Sequence, residues 1–310
     1  MNLPILAATV ALAALLSLVV LAQGGSGFLL WPLTLLTGAA AWALLARLSN
    51  DTRAEARFGW VVPALFGLTL LYLWEVIVRG FGVPKVLLPA PSAIGLALVA
   101  QASVLFADFQ QTVLKSVIAG YLLGNGSAFI IALLVDRSPF LQRGLLPLGN
   151  LVSAIPIVGI APIMVMWFGF DWPSKAAVIV VMTFFPMLIS TLAGLQGTDR
   201  MQRDLMTSYG ASYGQTLLAL RLPVAAPMIF NALKLNSTLA LIGAIVAEFF
   251  GTPIVGMGFR ISTEVARMNV DVVWATIAVA SVVGSVAYGT ITLIERRVTF
   301  WHPSFRKARG

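Results

Sequence analysis

Cysteine is absent from the 310 residues, and histidine occurs once, at His302. Without a thiol there is no disulfide, thiolate nucleophile or cysteine metal site, and a single imidazole does not make a metal centre. His302 sits in a basic run and reads as a solvated residue. Charge is also scarce. Asp, Glu, Lys and Arg supply 10% of the chain, against about 25% in a soluble domain. No glycine is followed by lysine, so the Gly-x-x-x-x-Gly-Lys-Ser/Thr phosphate cradle is missing and the chain is not expected to hydrolyse ATP itself. The few acids are scattered, which argues against an enzyme embedded in a membrane. No catalytic residue, cofactor or metal is expected.

What the chain has instead is apolar residues, 59% of the total, gathered into long unbroken blocks. A block of about 20 such residues spans about 30 Å of hydrocarbon as a helix. Helices and closed barrels are the structures that satisfy their own backbone groups there. A barrel needs alternating strands of about ten residues, which these runs are not. The sequence therefore predicts an all-α polytopic membrane protein with eight spans: Leu3–Ala22, Phe28–Arg47, Gly59–Arg79, Thr112–Val135, Pro147–Phe168, Ser174–Leu195, Pro227–Phe250 and Val270–Ile294. The first lacks a basic segment before it and is too long for a secretory signal, so it reads as a retained helix. Pro156 and Pro162 each remove an intrahelical hydrogen bond, so the fifth span should kink or break. Between spans three and four, Leu88-Pro89-Ala90-Pro91-Ser92 punctuates an amphipathic stretch, and Ser92 is the expected N-cap of a short helix.

The net charge of +8 reads as the positive-inside bias rather than as a nucleic-acid surface. With the N-terminus in the cytoplasm, Arg47, Arg53, Arg57, Arg137, Arg143, Arg200, Arg203, Arg221 and the basic residues from Arg296 onward all fall inside. Arg79, Lys85, Lys115, Lys175, Arg260 and Arg267 fall outside. Both ends and the polar loop from Gln196 to Ala225 are then cytoplasmic. Lys234, in the inner half of span seven, reads as a residue that snorkels to the interface.

That loop contains Asp204-Leu205-Met206-Thr207-Ser208-Tyr209-Gly210-Ala211-Ser212, then Leu220-Arg221-Leu222-Pro223. It predicts a short helix, a bend at Gly210, a second helix and a proline stop. Leu217, Leu218, Leu220 and Leu222 suit docking against a partly apolar surface; an ordinary amphipathic connector has the same pattern. The spacing resembles the cytoplasmic EAA loop of binding-protein-dependent ATP-binding cassette (ABC) importer permeases. Asp204 takes the acidic place, Gly210 the glycine, Leu220 the isoleucine and Leu222-Pro223 the ending. Leu205-Met206 departs from the small alanines usual there, which implies a reshaped groove in the partner.

The resemblance covers roughly residues 60–305. Leu88-Pro89-Ala90-Pro91-Ser92, Ile155-Pro156 through Ala161-Pro162, Trp167-Phe168-Gly169, Ala247-Glu248 and Gly256-Met257-Gly258-Phe259 resemble elements of the nitrate, sulfonate and taurine permease group. Trp301-His302-Pro303-Ser304 and Leu205–Tyr209 look most like permeases for pyrimidine-type vitamin precursors, and riboflavin importers are similar too. The implied fold is a type I importer core of six helices with two extra N-terminal helices. The implied domains are 1–58 for those helices and a linker, 59–295 for the permease, and 296–310 for a basic tail. The resemblance further implies a separate ATPase subunit, an extracytoplasmic solute-binding protein and a second permease chain. Coupling to the ATPase falls to Asp204, Tyr209, Gly210, Leu220, Leu222 and Pro223.

Polar groups inside apolar spans are costly and point to a protein-lined or wet environment. Asn150, Ser153, Trp167, Asn236 and Glu248 are the candidates for a translocation path. Glu248 either faces that path or pairs with a base such as Arg260. Asn125, Asn150 and Ser153 either line it or bond across helices. Met164, Met166, Trp167 and Phe168 suit an apolar gate or ordinary packing. The competing function is an ion-coupled secondary transporter. It predicts two halves with matching interrupted helices, and the sequence has no convincing internal repeat.

Overall fold

The computed structural model describes residues 3–22, 27–50, 60–153 and 155–301. The turn at 23–26, the charged linker at 51–59, and His302 with the basic tail lie outside the described residues, as do the side chains of Asn150 and Ser153. Among the described residues the structure is helical, with no strand. We number its helices α1 Leu3–Ala22, α2 Gly27–Asn50, α3 Val61–Gly80, α4 Pro91–Ala100, α5 Ala102–Asp136, α6 Pro139–Ser153, α7 Ile157–Phe168, α8 Trp172–Gln196, α9 Arg200–Ser208, α10 Tyr213–Glu248, α11 Met257–Ala266 and α12 Val270–Val298. Six of them are long and apolar enough to cross a membrane: α2, α3, α5, α8, α10 and α12. The chain divides into two compact units, Met1–Gln101 with Glu264–Ala275, and Ala102–Thr263 with Thr276–Gly310.

In the first unit α1 and α2 pair, and α2 packs on α3. The Ser17 and Tyr72 hydroxyls are hydrogen-bonded to each other. Trp274 meets Trp74 edge-on at 5.1 Å. The expected cap at Ser92 does not form: Ala90 is the N-cap of α4 and Pro91 its first residue. Ser92 instead donates its backbone N–H (2.8 Å) and its hydroxyl (2.6 Å) to the Glu75 carboxylate. A carboxylate on another helix meets an orphan N–H of the first turn better than a hydroxyl already one turn inside.

In the second unit α8 is the central helix, packed between α5 and α10. Close approach needs small residues. A Cβ on Gly120 would lie 2.6 Å from Ile179 Cβ, and one on Gly124 would lie 2.1 Å from Thr183 Oγ1. These two glycines let α5 and α8 run side by side in parallel, and α10 returns antiparallel to both. Ala128, Ala132, Val135, Leu188, Leu192 and Ala232 fill the seam between the three. By contrast, Val282, Val286 and Leu293 on α12 are each more than 60% exposed. Acyl chains solvate such side chains, so this exposure is what a bilayer permits.

The expected fifth span is broken as the prolines demand. Pro156 is the extended N-cap of α7, separating it from α6. The expected proline stop at Pro223 is absent. The helix runs from Tyr213 to Glu248 through a π-helical turn at Leu217–Arg221, where the Leu222 N–H donates to Leu217 O. The wider turn accepts a residue that has no N–H and whose ring crowds the preceding turn. A second π-helical stretch, Gln110–Val117, interrupts α5 and turns Gln111, Thr112 and Ser116 into the interior. Nothing in the hydrophobic spacing announces it.

Candidate functional site

The ends of α8 and α10 frame a helical loop at one end of the bundle. Its helix, α9, opens with Asp199 as N-cap in a capping box with Gln202. It closes in a Schellman turn: the Gly210 N–H donates to Thr207 O at 2.9 Å, and the Ala211 N–H to Met206 O at 3.0 Å. Gly210 has φ +67°, a left-handed conformation that costs a side-chain-bearing residue about 1–2 kcal/mol. Ser212 and Gln215 form a second capping box at the start of α10. Every turn signal that a short helix needs is therefore local.

No residue of α9 is buried. Met201, Leu205 and Tyr209, spaced four apart on one face, are 77%, 56% and 81% exposed. Among the described residues the Asp204 carboxylate pairs with Arg200, at 4.0 Å, an exposed pair worth little. Leu218 is exposed. Leu217 and Leu222 are not: they pack inward with Leu195 and Ala225 and root the loop in the bundle.

The root is also ionic. Arg221 donates from both terminal nitrogens to Asp136, at 2.6 and 2.7 Å, and from Nε to Leu195 O at 3.2 Å. The Tyr213 hydroxyl donates to the same carboxylate at 2.7 Å, and the Arg137 guanidinium lies 4.6 Å from the centre of the Tyr213 ring. In the sequence Asp136 directly follows the expected span Thr112–Val135 and carries no local mark of this role. The available signal was one acid and one arginine at the same end of two apolar helices.

Halfway along the bundle, Asn236 is fully buried and donates to Asn125 Oδ1 (2.6 Å) and Thr183 O (2.8 Å). The Asn125 amide donates to Tyr121 O at 2.8 Å. Lys234 does not snorkel. It pairs with Glu295 at 2.8 Å, and both side chains are largely buried.

At the opposite end the acids cap a helix. Helix α11 begins with three successive N–H groups that its own backbone cannot satisfy. Gly256 donates to Asp108 at 2.8 Å, Met257 to Thr112 Oγ1 at 2.8 Å and Gly258 to Glu248 at 2.7 Å. The Thr112 hydroxyl in turn donates to Glu248 at 2.8 Å. Two carboxylates at a helix N-terminus match the sign of its dipole. The glycines are needed for approach, since a Cβ on Gly256 would lie 2.7 Å from Glu248 Oε2 and one on Gly258 2.2 Å from Ile245 O. Arg260, one of the two alternatives for Glu248, pairs instead with Asp108, with Nε to carboxylate at 2.8 Å. Asp108 sits one helical turn before Thr112 and so shares its face.

Next to this cap, Gln111 donates to Asp171 at 2.7 Å. That bond, with the Trp172 N–H, holds the Asp171 carboxyl below its ordinary pKa. Lys175 is fully buried, and its ammonium donates to Phe170 O, Asp171 O and Ser174 Oγ. Among the expected path residues, Asn236 and Glu248 thus have bonding partners inside the chain, whereas Trp167 is 71% exposed beside Met166 at 83%.

These features define a multi-pass helical membrane protein that projects a self-capped helical loop from one end. The chain belongs to the family of binding-protein-dependent transport system inner membrane components, which it matches over residues 119–300. It is 31% identical over 239 residues to the formylaminopyrimidine transport permease of Halalkalibacterium halodurans, covering 77% of this chain and 95% of that one. It is 29% identical over 252 residues to a putative aliphatic sulfonates transport permease of Bacillus subtilis (80% and 90%). It is 29% identical over 266 residues to the riboflavin transport system permease of Chloroflexus aurantiacus (84% and 98%). The chain is accordingly an ABC importer permease, similar to permeases for formylaminopyrimidine, aliphatic sulfonates and riboflavin. It is a non-enzymatic inner-membrane subunit for a small solute, and its family implies an ATPase and a binding protein as partners.

Proposed function

We propose that this permease takes its drive from a separate ATPase subunit through residues 203–223 and imports a pyrimidine-type vitamin precursor or a riboflavin-like heterocycle. Nitrate, sulfonates and taurine are the next candidates. The observation that carries the coupling reading is α9 itself. It is completed by its own caps at both ends, leaves Met201, Leu205 and Tyr209 exposed, and depends on Gly210 at φ +67° for its exit. A helix that needs nothing from its own bundle is free to seat in a partner's groove. Asp204, Tyr209 and Leu220 contact the ATPase, Gly210 allows close backbone approach, and Leu222 and Pro223 hold the base. The substrate reading rests on the formylaminopyrimidine and riboflavin relatives.

Two copies of the chain flank the path in this reading, with both termini in the cytoplasm. Residues 59–295 form the permease domain, 1–58 an N-terminal addition and 296–310 a basic tail. Asn150, Ser153 and Trp167 are assigned to the path, with Met166 beside Trp167 as an apolar gate. Asn236 and Glu248 serve the path indirectly, by fixing the helices that border it.

The test is purification of the tagged chain from its native membranes in mild detergent, beside Gly210→Arg. Wild type is expected to retain an ATPase subunit. The arginine variant should lose at least about nine-tenths of it, because a long charged side chain at a left-handed position both strains the turn and blocks approach. Equal retention by the two proteins, or none by either, contradicts the coupling reading.

A further inference from the structure

We propose that Asp136 and Arg221 form the joint that passes the movement of the coupling loop into the bundle, as positioning residues for transport rather than docking residues for the ATPase. The inference rests on the coupling reading of residues 203–223.

The geometry is that of a joint. Asp136 is the last residue of α5, and its side chain is 2% exposed. Arg221 closes the π-helical turn at the loop's root, and its side chain is 13% exposed. Its fork meets the carboxylate with two parallel bonds, an arrangement that fixes direction as well as distance. Its Nε bond to Leu195 O adds the last turn of α8. One arginine therefore joins α5 and α8 to its own helix, α10, and Tyr213 adds a second tie from the loop to Asp136.

Those helices are also joined elsewhere. The Asn236 amide links α10 to α5 and α8 at mid-height. At the far end Asp108 and Thr112 of α5 and Glu248 of α10 together hold the N-terminus of α11. A displacement at α9 has few ways to dissipate between these fastenings. By contrast, α9 has no buried residue of its own. If the joint is cut, the loop can move with the ATPase while the bundle stays where it is. The joint is thus where docking and transport separate.

The chain has no cysteine, so a single introduced thiol reports cleanly. Ile254, 80% exposed in the segment just before α11, is the position to use. Ile254→Cys would be purified with its ATPase, placed in lipid nanodiscs, and its maleimide labelling rate measured without nucleotide and with ATP plus vanadate. The parent is expected to change its rate on trapping. Asp136→Asn and Arg221→Lys should still retain the ATPase subunit while the change in rate shrinks by about fivefold or more, the size of a modest coupling energy. Arg221→Lys keeps the charge and gives up the fork, so it remains informative if the asparagine variant folds poorly. The exchange Asp136→Arg with Arg221→Asp should restore most of the response.

Variants that respond as the parent does overturn the inference while leaving the coupling reading intact. Variants that lose the ATPase assign the pair to docking and overturn it as well. A parent that retains no ATPase, or that retains it without any change in rate, overturns the coupling reading and this inference with it.

Discussion

Asp108→Ala is expected to destabilise the folded chain by about 3 kcal/mol, the low end for breaking a buried charge pair, because the Arg260 side chain keeps some solvent access. The carboxylate serves two groups at once, the Arg260 guanidinium and the Gly256 N–H at the start of α11. Alanine removes this acceptor from both. Asparagine keeps an acceptor for the N–H and gives up the charge, so Asp108→Asn should fall between wild type and alanine. Thermal unfolding of the three proteins in one detergent measures the order. Equal midpoints for wild type and alanine would mean that α11 is held by something other than this cap.

The second large effect lies in the middle of the bundle. In Gly124→Leu, a Cβ would sit 2.1 Å from Thr183 Oγ1 and 3.1 Å from Val180 Cα. Backbone cannot yield as a side-chain tip can, so α5 and α8 must separate. Overpacking of this kind costs about 1–3 kcal/mol. The separation also pulls at the neighbouring Asn125–Asn236 bond, which joins α5 to α10. The effect should therefore reach the upper end, with loss of the monodisperse peak in size-exclusion chromatography as its readout. Gly126→Leu, two residues on, is the control: a Cβ there meets nothing within 4 Å. Similar behaviour of the two variants contradicts the account of close packing.

The contrast between these residues indicates what the chain discloses before it folds. Long apolar blocks, the break at Pro156 and the bend at Gly210 follow from rules that operate within a few residues: hydrophobic length, a missing N–H, a left-handed turn. They are legible. The motif pairs Ala247-Glu248 and Gly256-Met257-Gly258 were also visible, but their reason was not. That Glu248 accepts from the Thr112 hydroxyl, and that Asp108 rather than Glu248 takes Arg260, depends on contacts across 136 and 152 positions of chain. A π-helical stretch in α5 decides which side chains reach that contact, and no apolar period encodes it.

Similar limits apply to the loop. Its caps at Asp199, Gly210 and Ser212 are local, and the sequence already carries them. Its anchorage to Asp136 is not, because an acid at the end of an apolar run reads first as a terminator. Pro223 departs from its local rule for a related reason. A proline normally ends a helix, but the π-helical turn that ends two residues earlier, at Arg221, gives its ring room and lets α10 continue. The tertiary structure overrides the local rule there, at the root of the element proposed to couple.

The most direct test of the central claim is uptake into proteoliposomes that contain the purified permease and its co-purified ATPase, with its solute-binding protein supplied outside. ATP would be enclosed with the ATPase face, and radiolabelled formylaminopyrimidine, riboflavin and taurine offered outside in turn. The account predicts that one of these solutes accumulates only with ATP and the binding protein, that collapsing proton and sodium gradients leaves the rate unchanged, and that Gly210→Arg abolishes it. Accumulation that ignores ATP and follows an imposed ion gradient would contradict the account and identify a secondary transporter.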